Sequence, residues 1–223
     1  ASSTYFFPAG LPLKEGTVRK NKKLAKTLRG IAEKGSDYLL KGEVAEKIVE
    51  AVNNAEINPG QMSLEDLASY EPVKREPVCG LYHEKRICGM APPSSGGVNV
   101  YQILKMLEGF NLSQYAPDSV EFANLYTQAS ALSYADREKF IADSDFTNLP
   151  FAAMINTAYL QRRAESIAVD KEWRRKRAGN PYADANVALG TSMELPNTSH
   201  VSIVDKEGNA VSMTTSIEFM FGS

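Results

Sequence analysis

The side chains most able to do chemistry lie near the end of this 223-residue chain, where hydroxyls and one imidazole recur at every second position. Thr198, His200 and Ser202 form one such series, and Ser212, Thr214 and Ser216 form another. A period of two is the signature of a β-strand. Asp205-Lys206-Glu207-Gly208-Asn209, a run of turn formers between the two series, predicts a hairpin. Its register follows from matching apolar partners, because a slip of one residue would turn every side chain to the opposite face. Pairing Val204 with Ala210 sets Ile203 opposite Val211 and Val201 opposite Met213. The other face then carries Thr198, His200 and Ser202 across from Ser216, Thr214 and Ser212. Such a face is ordinary for a half-exposed sheet, in which Thr and Ser are at home. It also has a chemical reading. A threonine hydroxyl is a weak nucleophile that needs a neighbouring base.

The surrounding sequence, Pro196-Asn197-Thr198-Ser199-His200 through Ser216-Ile217-Glu218 to Phe221-Gly222-Ser223, closely resembles the γ-glutamyltranspeptidase family. It matches the segment where the precursor cuts itself and the small subunit begins. The resemblance is reinforced upstream by Ala91-Pro92-Pro93-Ser94-Ser95-Gly96-Gly97, by Leu24 to Arg29, Gly42-Glu43 and Met62 to Leu67, and by Ala135-Asp136-Arg137. These occur in the order and spacing of the family's large subunits, so the likeness covers most of the chain, from about Pro12.

The resemblance implies an α+β, N-terminal-nucleophile hydrolase fold, a four-layer αββα sandwich of which this chain is a helix-rich part. It implies cleavage between Asn197 and Thr198, with residues 1–197 belonging to the large subunit and 198–223 opening the small one. Thr198 would be the catalytic nucleophile, and Ser216, where many relatives carry Thr, would hydrogen-bond it. Glu218 occupies a substrate-binding position where well-studied transpeptidases have Asn. That change resembles the family's cephalosporin-acylase-like branch and leaves the substrate open. The implied reaction is cleavage of a γ-glutamyl amide such as glutathione, with transfer of the acyl group to water or an amine. The alternatives are an acylase-like or capsule-transpeptidase-like amidase, and a non-catalytic scaffold homologue.

No cofactor and no metal is expected. The expected partners are the small substrate, its acceptor, and the remainder of the protein's own two subunits. In the family an arginine that grips the substrate carboxylate lies upstream, and glycine oxyanion donors and a serine pair lie downstream of Ser223. This chain alone is therefore expected to be inactive. The same resemblance implies a periplasmic or extracellular location. Ala1 to Pro8 has neither the basic start nor the apolar core of a signal peptide and lacks an initiating Met, so an internal fragment is expected.

Composition agrees with an ordinary globular chain, 43% apolar and 23% charged with a formal net charge of −2. No basic excess points to nucleic acid, and no apolar run reaches the roughly 20 residues needed to cross a bilayer. Cys79 and Cys88 flank a hairpin with its turn expected near Glu84-Lys85, a turn that would not set them directly opposite. Either a disulfide or two buried free thiols fits the spacing.

The remaining elements must position these residues. Residues 1–20 read as irregular, and Asn21 to Lys34 as a helix ended by Gly35. Tyr38 to Asn53 reads as a second helix, and Ser63 as the N-cap of a short one with Asp66 three residues on. Two strands are expected within Arg75 to Met90, then helices at about Val98 to Gly109, Val120 to Phe140 and Phe151 to Ala168. Adjacent Asp136 and Arg137 point different ways on a helix, so each is expected to anchor something elsewhere. Ser94 and Ser95 lack the elbow of a serine hydrolase, and only His83 and His200 are available as imidazole bases. Asp143-Ser144-Asp145-Phe146 lacks the ligand series of a calcium loop. Lys171 to Arg177 reads as a solvated charged face, and Gly179 to Leu195 as a mobile connector to the cleavage site.

Overall fold

The computed structural model describes residues 2–171, 175–182 and 198–216. The chain divides into two compact units, one spanning Ala1–Val73 and the other Lys74–Glu218. This is a division of packing, distinct from the expected cleavage boundary.

The first unit is helical. Where an irregular start was expected, α1 (Ser2–Phe6) and a single 3-10 turn (Pro8–Gly10) form instead. Arg19 reaches back to them, donating to the Tyr5 carbonyl at 2.6 Å and stacking over its ring. Helix α2 (Lys22–Lys34) begins at Asn21, whose side chain accepts from the Leu24 N–H, and ends at Gly35 as expected. The helix expected over Tyr38 to Asn53 is broken in two, α3 (Asp37–Leu40) and α4 (Glu43–Asn53). The break falls at Gly42, whose φ of +70° lies in the left-handed region where a residue without Cβ is free to turn. Ser63 and Asp66 close a reciprocal capping box at the start of α5 (Leu64–Ala68).

The second unit is built on two long helices, α6 (Gly96–Leu107) and α7 (Val120–Phe140). Tyr101, Met106 and Leu107 of α6 bury against Leu125, Ala129 and Leu132 of α7, with Tyr159, Leu160 and Ile167 completing the core. The helix expected over Phe151 to Ala168 is two, α8 (Phe151–Met154) and α9 (Thr157–Ala164). Asn156 caps the second by accepting from the Tyr159 N–H.

The buried Gln102, Ser133 and Asp136 of this core each find polar partners, as the low dielectric favours. Ser133 donates to Gln102 at 2.7 Å, and Gln102 in turn donates to the Met154 carbonyl at 3.0 Å. Asp136 is almost fully buried and accepts from Tyr159 Oη, Arg163 Nη2 and the Gly179 N–H. Burial pushes its carboxyl above the ordinary range, and those donors, Arg163 foremost, pull the other way. Tyr159 is pushed upward too, by burial first and by the Asp136 charge second. Arg137 turns in another direction and donates from Nε to Ser95 Oγ at 2.8 Å, so both neighbours are anchors, as expected.

The first hairpin pairs β1 (Val78–Tyr82) with β2 (Lys85–Gly89), and its turn is His83–Glu84 rather than Glu84–Lys85. Glu108 fixes that turn by accepting from the His83 N–H, and Lys105 donates to the Leu81 carbonyl at 3.2 Å. The corrected turn sets Cys79 directly opposite Cys88, and the two form a disulfide. They are not buried thiols: Cys88 is exposed and Cys79 half-buried.

Candidate functional site

The site is assembled from the second hairpin and from the loop that starts α6. Strands β3 (Ser199–Val204) and β4 (Ala210–Thr215) pair in the expected register, with Val204 opposite Ala210, Val201 opposite Met213 and His200 opposite Thr214. The last pair is Ser199 with Thr215. Continued by one residue, the register sets Thr198 across from Ser216, as read from the alternation. Both residues are exposed.

Asp205 holds the connecting turn. Its carboxylate accepts from the backbone N–H groups of Glu207 (3.0 Å) and Asn209 (2.8 Å) and from the Asn209 side chain (2.8 Å). These bonds, the Asn209 side chain foremost, hold its carboxyl below the usual range. Gly208, at φ +85°, supplies the left-handed residue the turn needs.

His200 is the hub of the polar face. Nδ1 lies 2.8 Å from Thr214 Oγ1, and Nε2 lies 3.1 Å from Ser202 Oγ and 3.0 Å from Ser212 Oγ. Three hydroxyls therefore fix the imidazole on the face that carries Thr198. Positions two apart on a strand are separated by about 6–7 Å, so His200 stands one step along from the candidate nucleophile. The period-two pattern showed its place, and cross-strand pairing explains its partners.

A cavity of about 720 Å³ opens beside this face. One wall is His200, Ser212, Met213 and Thr214, and the other is formed by Cys88, Gly89 and Met90 at the end of β2 with Ser94, Gly96 and Gly97. The backbone of α6 can close this wall because Gly97 presses on the end of β2. A Cβ built on Gly97 would stand 2.4 Å from the Met90 carbonyl oxygen and 2.6 Å from the Gly89 carbonyl carbon. At Gly96 a Cβ would meet nothing within 4 Å. The Pro-Pro-Ser-Ser-Gly-Gly run thus has three separable roles here: Ser94 and both glycines line the cavity, Ser95 accepts from Arg137, and Gly97 permits close packing.

Asn197 and Glu218 lie outside the described residues, as do much of the expected connector and of the basic segment. Asp145, read as a weak ligand candidate, is engaged by Arg75, which donates from both terminal nitrogens at 2.9 and 2.5 Å. Arg163, the partner that explains Asp136, carried no signal in its own neighbourhood. The same holds for Glu108 and the first hairpin's turn.

The family profile described as gamma-glutamyltranspeptidase matches residues 1–223. The glutathione hydrolase proenzyme of Escherichia coli (strain K12) is 36% identical over 222 residues, covering all of this chain and 37% of that protein. The Acylase ACY 1 proenzyme of Pseudomonas sp. (strain SE83) is 32% identical over 218 residues, 97% of this chain and 36% of the relative. The chain thus spans well under half the length of these curated relatives. The crystal structure of Helicobacter pylori gamma-glutamyltranspeptidase aligns with a TM-score of 0.69 and 34% identity, over 82% of this chain and 52% of that one. A cephalosporin acylase from Bacillus halodurans aligns with a TM-score of 0.74 over 96% of this chain and 36% of that one, and at 23% identity this likeness concerns the fold alone.

Proposed function

Because the chain belongs to the γ-glutamyltranspeptidase family, we propose that it is the part of a proenzyme that cuts itself between Asn197 and Thr198 and then works through Thr198. The supporting observation is the hairpin register, whose outermost pair, Ser199 with Thr215, would bring Thr198 level with Ser216 if continued by one residue. Self-cleavage would begin with Thr198 Oγ attacking the Asn197 carbonyl carbon. The Asn197–Thr198 C–N bond breaks as the C–O bond forms, leaving an ester and a free Thr198 amine. Water then hydrolyses the ester to an Asn197 carboxylate and the Thr198 hydroxyl. The amine has an ordinary pKa of about 8, so near neutrality it can take the hydroxyl proton in later turnovers. This makes residues 1–197 the end of a large subunit and 198–223 the start of a small one.

In turnover the Thr198 hydroxyl attacks a γ-glutamyl amide, expels the amine, and holds the acyl group as an ester until water or an acceptor amine takes it. Glutathione hydrolysis is the leading reading, since relatives bearing that name match over the whole chain. Ser216 supports the Thr198 oxygen by hydrogen bonding, and Glu218 meets the substrate ammonium. The acylase reading rests on Glu218 in place of Asn and on the acylase relative. A location outside the cytoplasm is supported by the exposed disulfide, since such bonds persist in oxidising compartments.

The test is an intact-mass spectrum of the full-length parent beside Thr198→Ala and Thr198→Ser. Two fragments divided at Asn197–Thr198 are expected from the parent and from the Ser variant, with one uncut mass from the Ala variant. Uncut protein in all three would withdraw the nucleophile and favour a non-catalytic scaffold. On cleaved protein, turnover of a glutaryl amide without turnover of a γ-glutamyl amide would shift the substrate to the acylase class.

A further inference from the structure

Cys88, one half of the Cys79–Cys88 disulfide, is among the residues that line the site cavity. Strand alternation turns Gly80 toward α6, where a Cβ would enter the Tyr101 ring, and so turns the cysteine pair to the opposite face. Cys88 is exposed and lines the cavity, whereas Cys79 is half-buried and does not line it. Arg86 Nη2 donates to Cys79 Sγ at 3.4 Å. The two sulfurs are therefore unlike. One belongs to an exposed residue, and the other is beside a permanent positive charge.

Thiol–disulfide exchange uses that kind of inequality. The attacking thiolate needs access to one sulfur, and the other leaves faster when its thiolate is stabilised, as by a neighbouring arginine. Here access and charge select the same direction. We propose that Cys88, an exposed residue adjoining a cavity whose volume falls in the range of small-molecule sites, is a thiol-exchange site for small thiols. The thiolate RS⁻ attacks Cys88 Sγ, an RS–S(Cys88) bond forms, and the Cys88–Cys79 S–S bond breaks. Its electron pair leaves with Cys79 as a thiolate facing Arg86. The step is a two-electron exchange with no other oxidant or reductant, and it reverses when Cys79 attacks the mixed disulfide. The inference rests on the chain's own residues and not on the γ-glutamyl reading.

The full-length parent is incubated with cysteinylglycine, which carries a thiol but no γ-glutamyl bond, so the outcome is separate from the proposed turnover. Samples are quenched in acid and alkylated with iodoacetamide, and the two cysteines are assigned by peptide mapping. The expected product carries cysteinylglycine on Cys88 and the alkyl group on Cys79, in clear excess over the reverse. Arg86→Gln, a change at an exposed side chain, should slow the exchange several-fold and reduce the preference. Cys79→Ser leaves a lone Cys88, which should form the mixed disulfide directly with the oxidised disulfide of the same dipeptide. A disulfide that resists millimolar thiol in the folded protein would overturn the proposal. So would equal labelling of the two cysteines, or a rate indifferent to Arg86→Gln.

Discussion

The α6–α7 core and the β3–β4 hairpin stabilise themselves by opposite means. In the core, Val98, Leu125, Met106 and Leu160 are at most 1% exposed, and the buried Gln102, Ser133 and Asp136 find polar partners across helices. In the hairpin every residue of both strands is exposed, including Val201, Ile203, Val211 and Met213 on its apolar face. What holds it is register, the His200 hydroxyl cluster and the Asp205 turn. Two strands alone are at best marginally stable in water. The proposed nucleophile thus stands at the head of a hairpin whose strands are exposed in this chain, and the loop that starts α6 provides the cavity wall beside it.

The largest test of this contrast is made in the core. Asp136→Ala would leave Tyr159 Oη and the Gly179 N–H without their acceptor and the Arg163 guanidinium without its counter-charge. Breaking a buried pair from one side costs about 3–5 kcal/mol. Urea unfolding of the full-length parent should show a loss of that order, and Asp136→Asn a smaller one. A loss under about 1 kcal/mol, the worth of a surface pair, would mean that Asp136 anchors nothing and that the contrast is overstated.

The parts legible in the sequence were those governed by near neighbours. Helix α7 starts and stops where its pattern predicts, with Ser119 accepting from the Phe122 N–H. The capping box at Ser63 and the register of β3 with β4 are likewise local. The errors arose where a distant group decided the outcome. Glu108 shifts the first hairpin's turn to His83–Glu84 and thereby brings Cys79 opposite Cys88. The break at Gly42 was signalled by the glycine itself, but the apolar spacing ran on through it. For the site, the alternation of hydroxyls gave the faces and the register of β3 with β4. It could not give the cavity, because the opposite wall comes from residues more than a hundred positions earlier.

The joint between the two regions gives an intermediate effect. Gly97 touches the backbone at Gly89 and Met90, whereas Gly96 faces open space. Gly97→Ala should therefore cost about 1–3 kcal/mol, the usual penalty for overpacking. Gly96→Ala should be neutral or slightly stabilising, since Ala is the better helix former. Thermal unfolding of the two variants decides between this and a motif whose glycines are interchangeable. Equal effects would remove the argument that close packing of α6 on β2 sets the cavity wall.

The smallest effect belongs to the hairpin turn and is read by pH. The Asp205 carboxyl lies below its ordinary range because its charged form accepts from the Asn209 side chain and from backbone N–H groups at Asn209, Glu207 and Gly208. A depressed carboxyl contributes its full stabilisation above the unfolded-state value, about 3.9 for Asp, and loses it as pH falls through the folded-state value. Between pH 8 and pH 5 the turn should therefore be indifferent to acid, and below about pH 4 it should loosen. The amide resonances of Glu207 and Asn209 report this directly, because Asp205 accepts from both. Asp205→Asn keeps an acceptor oxygen but has nothing to protonate, so the acid step should vanish while the register survives. If the step persists in that variant, or falls well above this range in the parent, the turn is held by something other than the Asp205 charge.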